Sequence, residues 1–151
     1  MAKLSIIYYS GSGNTEQMAD FIGEGAESAG VEVVKSQVEV AEESLAEADF
    51  VALGSPSTGA EEVAPEIVEY IERVKDKLVG KKIGVFGSYD WGFGEWMNMW
   101  IEELKNENIE VVGEGCIVHL TPDDDEKIEK CEKVRLIRAK SDLFSNKKAN
   151  I

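Results

Sequence analysis

Two hydrophobic periods alternate along this chain. Residues 3–9, KLSIIYY, form an unbroken apolar run of strand length, and the stretch after it spaces Met18, Ile22, Ala26 and Ala29 along one face of a helix. Gly30 stops that helix. VEVVKS (31–36) alternates less cleanly and predicts a more exposed second strand. An acidic connection, 37–48, follows, with ESLAEA suited to a short helix. DFVALG (49–54) predicts a third strand, succeeded by a polar loop, SPSTGAEE. Ile67, Ile71, Val74 and Leu78 then mark a helix that Gly80 ends. KKIGVFGS (81–88) predicts the fourth strand, YDWGFGE the loop beyond it, and Met97, Ile101 and Leu104 the inner face of another helix. IEVVGEGCIVHL (109–120) predicts a fifth strand kinked at Gly113 and Gly115. The last helix, 123–140, is acidic at its start and basic towards its end, as the helix dipole prefers. The tail from about residue 141 has weak periodicity and is expected to be loose.

Strand–helix alternation repeated in this way implies an α/β fold: a doubly wound, five-stranded parallel sheet between two layers of helices, in one domain spanning 1–151. Ligands of such sheets sit beyond the carboxyl ends of the strands, where the strand order reverses. That rule selects the loops after strands one, three and four.

Charge narrows the partners. The chain carries 30 acidic against 16 basic residues, a formal net charge of -14. Nucleic acid and anionic membrane would repel it, whereas basic proteins would be steered towards it. Solubility alone also accounts for such acidity. Residues 1–9 are too short and too quickly polar for a signal peptide, and no segment is apolar for long enough to span a bilayer, so a cytoplasmic protein is expected. Cys116 and Cys131 form no CxxC and have no histidine at ligand spacing; reduced structural thiols are expected, and no metal site.

The loop after the first strand reads Ser10-Gly11-Ser12-Gly13-Asn14-Thr15. Backbone N–H groups at a helix amino end, with three hydroxyls and an amide, can hold a phosphate without a cation. A triphosphate loop would need a lysine that is absent here, and the dinucleotide fingerprint would need a third glycine where Glu16 stands. The loop therefore suits a terminal monophosphate, or else only turns the chain and caps the helix.

This loop, an [ST]-G-[ST]-G-N-T pattern after an apolar strand, and GSYDWGFGEW (87–96) together resemble the flavodoxins of the short-chain, clostridial type. The resemblance runs in register from the first strand to about Cys131. It implies the sheet order 2-1-3-4-5 and noncovalently bound FMN, its phosphate on Ser10, Gly11, Ser12, Gly13, Asn14 and Thr15. Pro56, Ser57, Thr58, Gly59, Ala60 and Glu61 match the turn against the reactive edge of the flavin. In that family one-electron reduction flips a peptide there so that its carbonyl meets the protonated N5. The resemblance gives that carbonyl to Gly59 and the acceptor for the ring N3–H to Glu61. Trp91 matches the aromatic that stacks on the ring, Tyr89 an edge or backbone contact, and Ser88, Asp90 and Gly92 belong to the same loop. Thr58, Ala60 and Phe93 depart from the family's usual residues, as does the segment after Cys131. His119-Leu120 stands where the family often has polar residues; His119 by itself reads as a strand-end residue.

The implied function is a low-potential one-electron carrier shuttling electrons between redox enzymes, not an enzyme itself. Basic-surfaced reductases and oxidoreductases are the expected partners of a monomer. An FMN-dependent quinone reductase and a flavodoxin that activates ribonucleotide reductase are the alternatives on this fold. A phosphoacceptor domain would need acids where Tyr9-Ser10 and Gly54-Ser55 stand, and is set aside.

Overall fold

The computed structural model describes residues 3–10, 13–38, 45, 48–58, 62–89, 94–112, 115–119, 124–128 and 131. In chain order the elements are β1 (Lys3–Tyr8), α1 (Asn14–Ser28), β2 (Glu32–Gln37), β3 (Phe50–Gly54), β4 (Ser57–Thr58), β5 (Glu62–Val63), α2 (Pro65–Leu78), β6 (Lys82–Tyr89), α3 (Glu95–Asn106) and β7 (Cys116–His119). A helical stretch follows at 125–128.

Five strands form one parallel sheet in the order β2-β1-β3-β6-β7. Counting only the strands of this sheet, that is the expected order 2-1-3-4-5. The inner strands are apolar in both phases of their two-residue period, which commits both faces to burial. Leu4, Ile6 and Tyr8 of β1, Phe50 and Ala52 of β3 and Phe86 of β6 pack with Met18, Ala19, Ile22 and Ala26 of α1. The alternate residues Ile7, Val51, Leu53, Ile83 and Val85 pack with Ile67, Tyr70, Ile71, Val74 and Leu78 of α2 and with Trp96, Met97, Trp100 and Leu104 of α3. Cys116 and Cys131 are buried thiols in the α1-side core. At the edge, β2 is the most exposed strand of the sheet, as its weaker alternation predicts, and its Lys35 pairs with Asp20 of α1.

Several expectations are corrected. Ala29 does not join the buried face of α1; it is the exposed C-cap, followed by Gly30 at φ +82. The fifth strand is broken. β7 covers only Cys116–His119, while Val111 makes an isolated parallel bridge with Ile83. Gly115 adopts φ +83, and a Cβ there would press on Met97, so the chain turns where a straight strand would continue. The loop SPSTGAEE contains an antiparallel ribbon, with Ser57 opposite Val63 and Thr58 opposite Glu62. Of the short helix at ESLAEA, only Leu45 is described; it is helical and fully buried. Most of the 123–140 helix and the whole tail lie outside the described residues.

Candidate functional site

The carboxyl edge of the sheet is stepped. Tyr8 of β1, Gly54 of β3, Phe86 of β6 and Cys116 of β7 stand in one row, but β6 and β7 continue in register to Tyr89 and His119. At about 3.3 Å per residue, the continuation rises about 10 Å above that row. The chain leaves β1 towards β2 on one side and resumes at β3 on the other, which makes the switch point lie between β1 and β3. Backbone bonds knit the exits together: the Tyr9 N–H donates to Gly54 O at 3.1 Å, and the Ser55 N–H to Phe86 O at 3.1 Å.

Below the step, α1 begins at Gly13, whose φ of +95 favours glycine, with no side chain capping the helix from that position. The Ser10 hydroxyl oxygen accepts from the amides of Gly13 at 3.1 Å and Glu16 at 3.3 Å, so its oxygen closes the loop. Among the described residues, the amides of Asn14 and Thr15 meet no acceptor, and both lie at the positive end of the helix dipole. A Cβ added at Gly13 would meet nothing within 4 Å among the described residues. Tyr8 sits beneath this turn. Burial, and then the Glu16 carboxylate to which its hydroxyl donates, raise the Tyr8 phenol above its ordinary range, so it stays neutral.

Thr15 and Ser88 are brought together across the fold. Their hydroxyls are 3.0 Å apart and buried, either serving as donor. One proton of the pair is spent between them and the other remains to be donated. Ser88 thereby joins the step of β6 to the start of α1. Next to it, Tyr89 is half-buried, and its ring lies 5.3 Å from the ring of His119, tilted by 56°.

Ser55 organises the third exit. Fully buried, it donates its hydroxyl to Pro56 O at 2.8 Å and accepts the Ala64 N–H at 2.9 Å, which fastens both ends of the β4–β5 ribbon to β3. α2 starts at once with Pro65, which lacks the N–H that a first helical turn leaves unmet. Sequence reasoning began the site at Pro56 and missed Ser55. A serine directly between a buried strand and a proline was the available signal. Trp96 and Trp100 are buried and stacked with centroids 6.4 Å apart. Trp96 lies against Gly87, and its indole N–H is buried without an acceptor among the described residues.

Of the expected site residues, Ser10, Gly13, Asn14, Thr15, Pro56, Ser57, Ser88 and Tyr89 thus cluster at the exits of β1, β3 and β6. Thr58 is in β4 of the ribbon. Gly11, Ser12, Gly59, Ala60, Glu61, Asp90, Trp91 and Gly92 lie outside the described residues.

The family model for flavodoxin matches residues 6–133, most of the chain. The chain belongs to the flavodoxin family. It is 39% identical to the flavodoxin of Megasphaera elsdenii over 123 residues, which is 80% of this chain and 89% of that protein. Identity with the Clostridium beijerinckii flavodoxin is 36%, over 82% of this chain and 91% of that protein. The solution structure of two-electron reduced Megasphaera elsdenii flavodoxin superposes with a TM-score of 0.79 at 36% identity, covering 91% of this chain and 98% of that one. As a flavodoxin, the chain is an FMN-binding electron carrier and not an enzyme, and electron transfer requires redox partners.

The donor set fits that cofactor's phosphate. Two amides unmet among the described residues at a helix amino end and a buried hydroxyl pair provide donors suited to an anion, and the Glu16 carboxylate of the same turn is engaged by the Tyr8 hydroxyl. No cation is required. Among the described residues no helix is long and apolar enough to cross a membrane.

Proposed function

We propose that this flavodoxin, as a cytoplasmic monomer of one domain, holds FMN at the stepped carboxyl edge and passes electrons one at a time, at low potential, between redox enzymes. Bound FMN supplies the redox chemistry. The phosphate is held by the Ser10–Thr15 loop, and the ring is flanked by Pro56–Glu61 on one side and Ser88–Gly92 on the other. The Thr15–Ser88 hydroxyl pair carries this reading, because it joins the phosphate loop to the ring-flanking loop across 73 positions of sequence.

The chain's own residues divide the work. Asn14 and Thr15 offer N–H groups, Ser55 fixes the ribbon that carries the turn at 59–61, and the Glu61 carboxylate accepts the ring imide N–H. Trp91 covers a ring face and excludes water. Exposed carboxylates at Glu62, Glu95, Asp124 and Asp125 stand at the exits of β3, β6 and β7. Each such charge about 10 Å away, at an effective dielectric of about 40, opposes added negative charge by roughly 0.8 kcal/mol. Several together lower the second of two one-electron potentials most, since that step adds the uncompensated charge.

Addition of FMN to the cofactor-free, isotope-labelled protein tests the placement. Amide signals of Asn14, Thr15, Ser88 and Tyr89 are expected to shift most, and those of Val34 and Val79, which are exposed away from this edge, to stay still. Shifts centred on the opposite end of the sheet would contradict the site.

The acidic rim supports docking of basic surfaces on the redox partners, and it argues against nucleic acid or anionic membrane as partners. Electron-transfer rates with a reductase are expected to fall roughly tenfold or more as ionic strength rises from about 0.01 to 0.2 M, where the Debye length shrinks from about 30 to under 10 Å. Rates indifferent to salt would contradict this docking. The quinone-reductase alternative draws no support from the family assignment.

A further inference from the structure

His119 is the single histidine of the chain, and nothing in the carrier function so far uses it. It ends β7, exposed, in register opposite Tyr89. The two rings are 5.3 Å apart. Tyr89 in turn follows Ser88, whose hydroxyl meets Thr15 at the start of α1. An unbroken line of neighbours thus runs from the imidazole to the phosphate loop. On its other side, the Lys127 ammonium donates to the His119 carbonyl at 3.0 Å, and the Lys127 amide is itself fixed by the Asp124 carboxylate at 2.8 Å. Among the described residues, the titratable and charged groups placed against His119 include Tyr89 from β6 and Lys127 from the stretch after β7, with Asp124, Asp125 and Glu126 on that same stretch.

We infer that His119 is a proton-linked tuning residue, coupling pH to the electron affinity of the cofactor held at this edge. The inference rests on the proposed FMN site. An imidazole ordinarily changes charge near pH 6.5, within reach of small environmental changes. In a rim otherwise dominated by carboxylates, an imidazolium beside Tyr89 partly offsets the negative field at the carboxyl edge. Protonated His119 therefore favours the reduced cofactor, and by linkage the reduced cofactor favours protonated His119. The electron comes from the reduced redox partner and the proton from solvent onto a ring nitrogen. No bond forms between His119 and the cofactor. The effect has a definite sign: as pH falls through the histidine titration, reduction becomes easier.

Because there is one histidine, its Cε1–H signal needs no assignment. That signal is to be titrated over pH in the FMN-loaded full chain, once oxidised and once fully reduced under anaerobic conditions. Added negative charge at this edge favours the imidazolium, so the histidine signal is expected to titrate at higher pH in the reduced protein than in the oxidised one. Identical titrations in the two redox states would overturn the inference. Mere ring packing of His119 on Tyr89 predicts that null result. In the H119Q protein the midpoint potential is expected to lose the part of its pH dependence that follows the histidine titration; parallel wild-type and H119Q profiles would also overturn it. Failure to take up FMN, seen as an unchanged flavin spectrum, would sink the site reading instead. An unmoved histidine in protein that has taken up FMN at this edge sinks only the tuning role.

Discussion

Gly87→Ala is expected to destabilise the protein by about 3–4 kcal/mol, whereas Gly23→Ala stabilises it by about 0.5–1 kcal/mol. A Cβ at Gly87 would land on the carbonyl oxygen of Ser55 and on the ring of Trp96. Neither neighbour can yield cheaply. Ser55 is held by its amide to Phe86 O, by its hydroxyl to Pro56 O and by the Ala64 amide donating back to it. Trp96 is buried and stacked on Trp100. The methyl therefore has to displace backbone or a packed indole, and overpacking of that kind is costly in interiors as dense as crystals. In α1 the same methyl at Gly23 would find Ile6 and Val33 side chains at 3.5 and 3.6 Å, ordinary contact distances. There it also removes the entropic cost of a helical glycine. Urea unfolding of the two variants beside the wild type checks both signs, and equal midpoints for the three proteins would contradict the packing described at β6.

The second large effect concerns binding. Riboflavin, which lacks the phosphate, is expected to bind about 10³-fold more weakly than FMN. Hydrogen bonds to a charged group contribute about 1.5–3 kcal/mol each, so two amides at the start of α1 account for about 4 kcal/mol, equivalent to about 10³ in affinity. In the proposed site Asn14 and Thr15 supply those amides, and the Thr15–Ser88 pair holds a hydroxyl proton in reserve. Loss of flavin fluorescence on titrating cofactor-free protein into each flavin measures the ratio. A ratio below about tenfold would mean that the phosphate contributes less than one charged hydrogen bond, and the role of the α1 amino end would fall with it.

Much of this architecture was legible in the chain because it depends on short-range patterns. Apolar runs in both phases of β1, β3 and β6 announce a sheet buried on two faces, and the glycine-rich exit before α1 announces a helix start suited to an anion. What escaped depends on contacts between distant residues. Nothing near Thr15 in sequence points to Ser88, and nothing near Gly87 points to the Ser55 carbonyl that forbids a side chain there. Ser55 looked like one more polar loop residue, yet its two hydrogen bonds anchor the ribbon. The kink of the fifth strand is legible in Gly113 and Gly115, but its extent is not: the left-handed backbone at Gly115 leaves only Cys116–His119 in the ladder. Ala29 fits the helical spacing but falls on the cap, where the periodic rule no longer applies. For Gly59, Glu61 and Trp91 the roles rest on the family resemblance, since these residues lie outside those described.

The central claim is that this flavodoxin uses FMN to carry single electrons. Its most direct test is the visible spectrum of the FMN-loaded protein during stepwise anaerobic reduction. Two separated one-electron steps are predicted, with distinct spectral changes in each half of the titration and the second step at the lower potential. Passage straight from oxidised to fully reduced flavin, with a single set of changes throughout, would contradict the account.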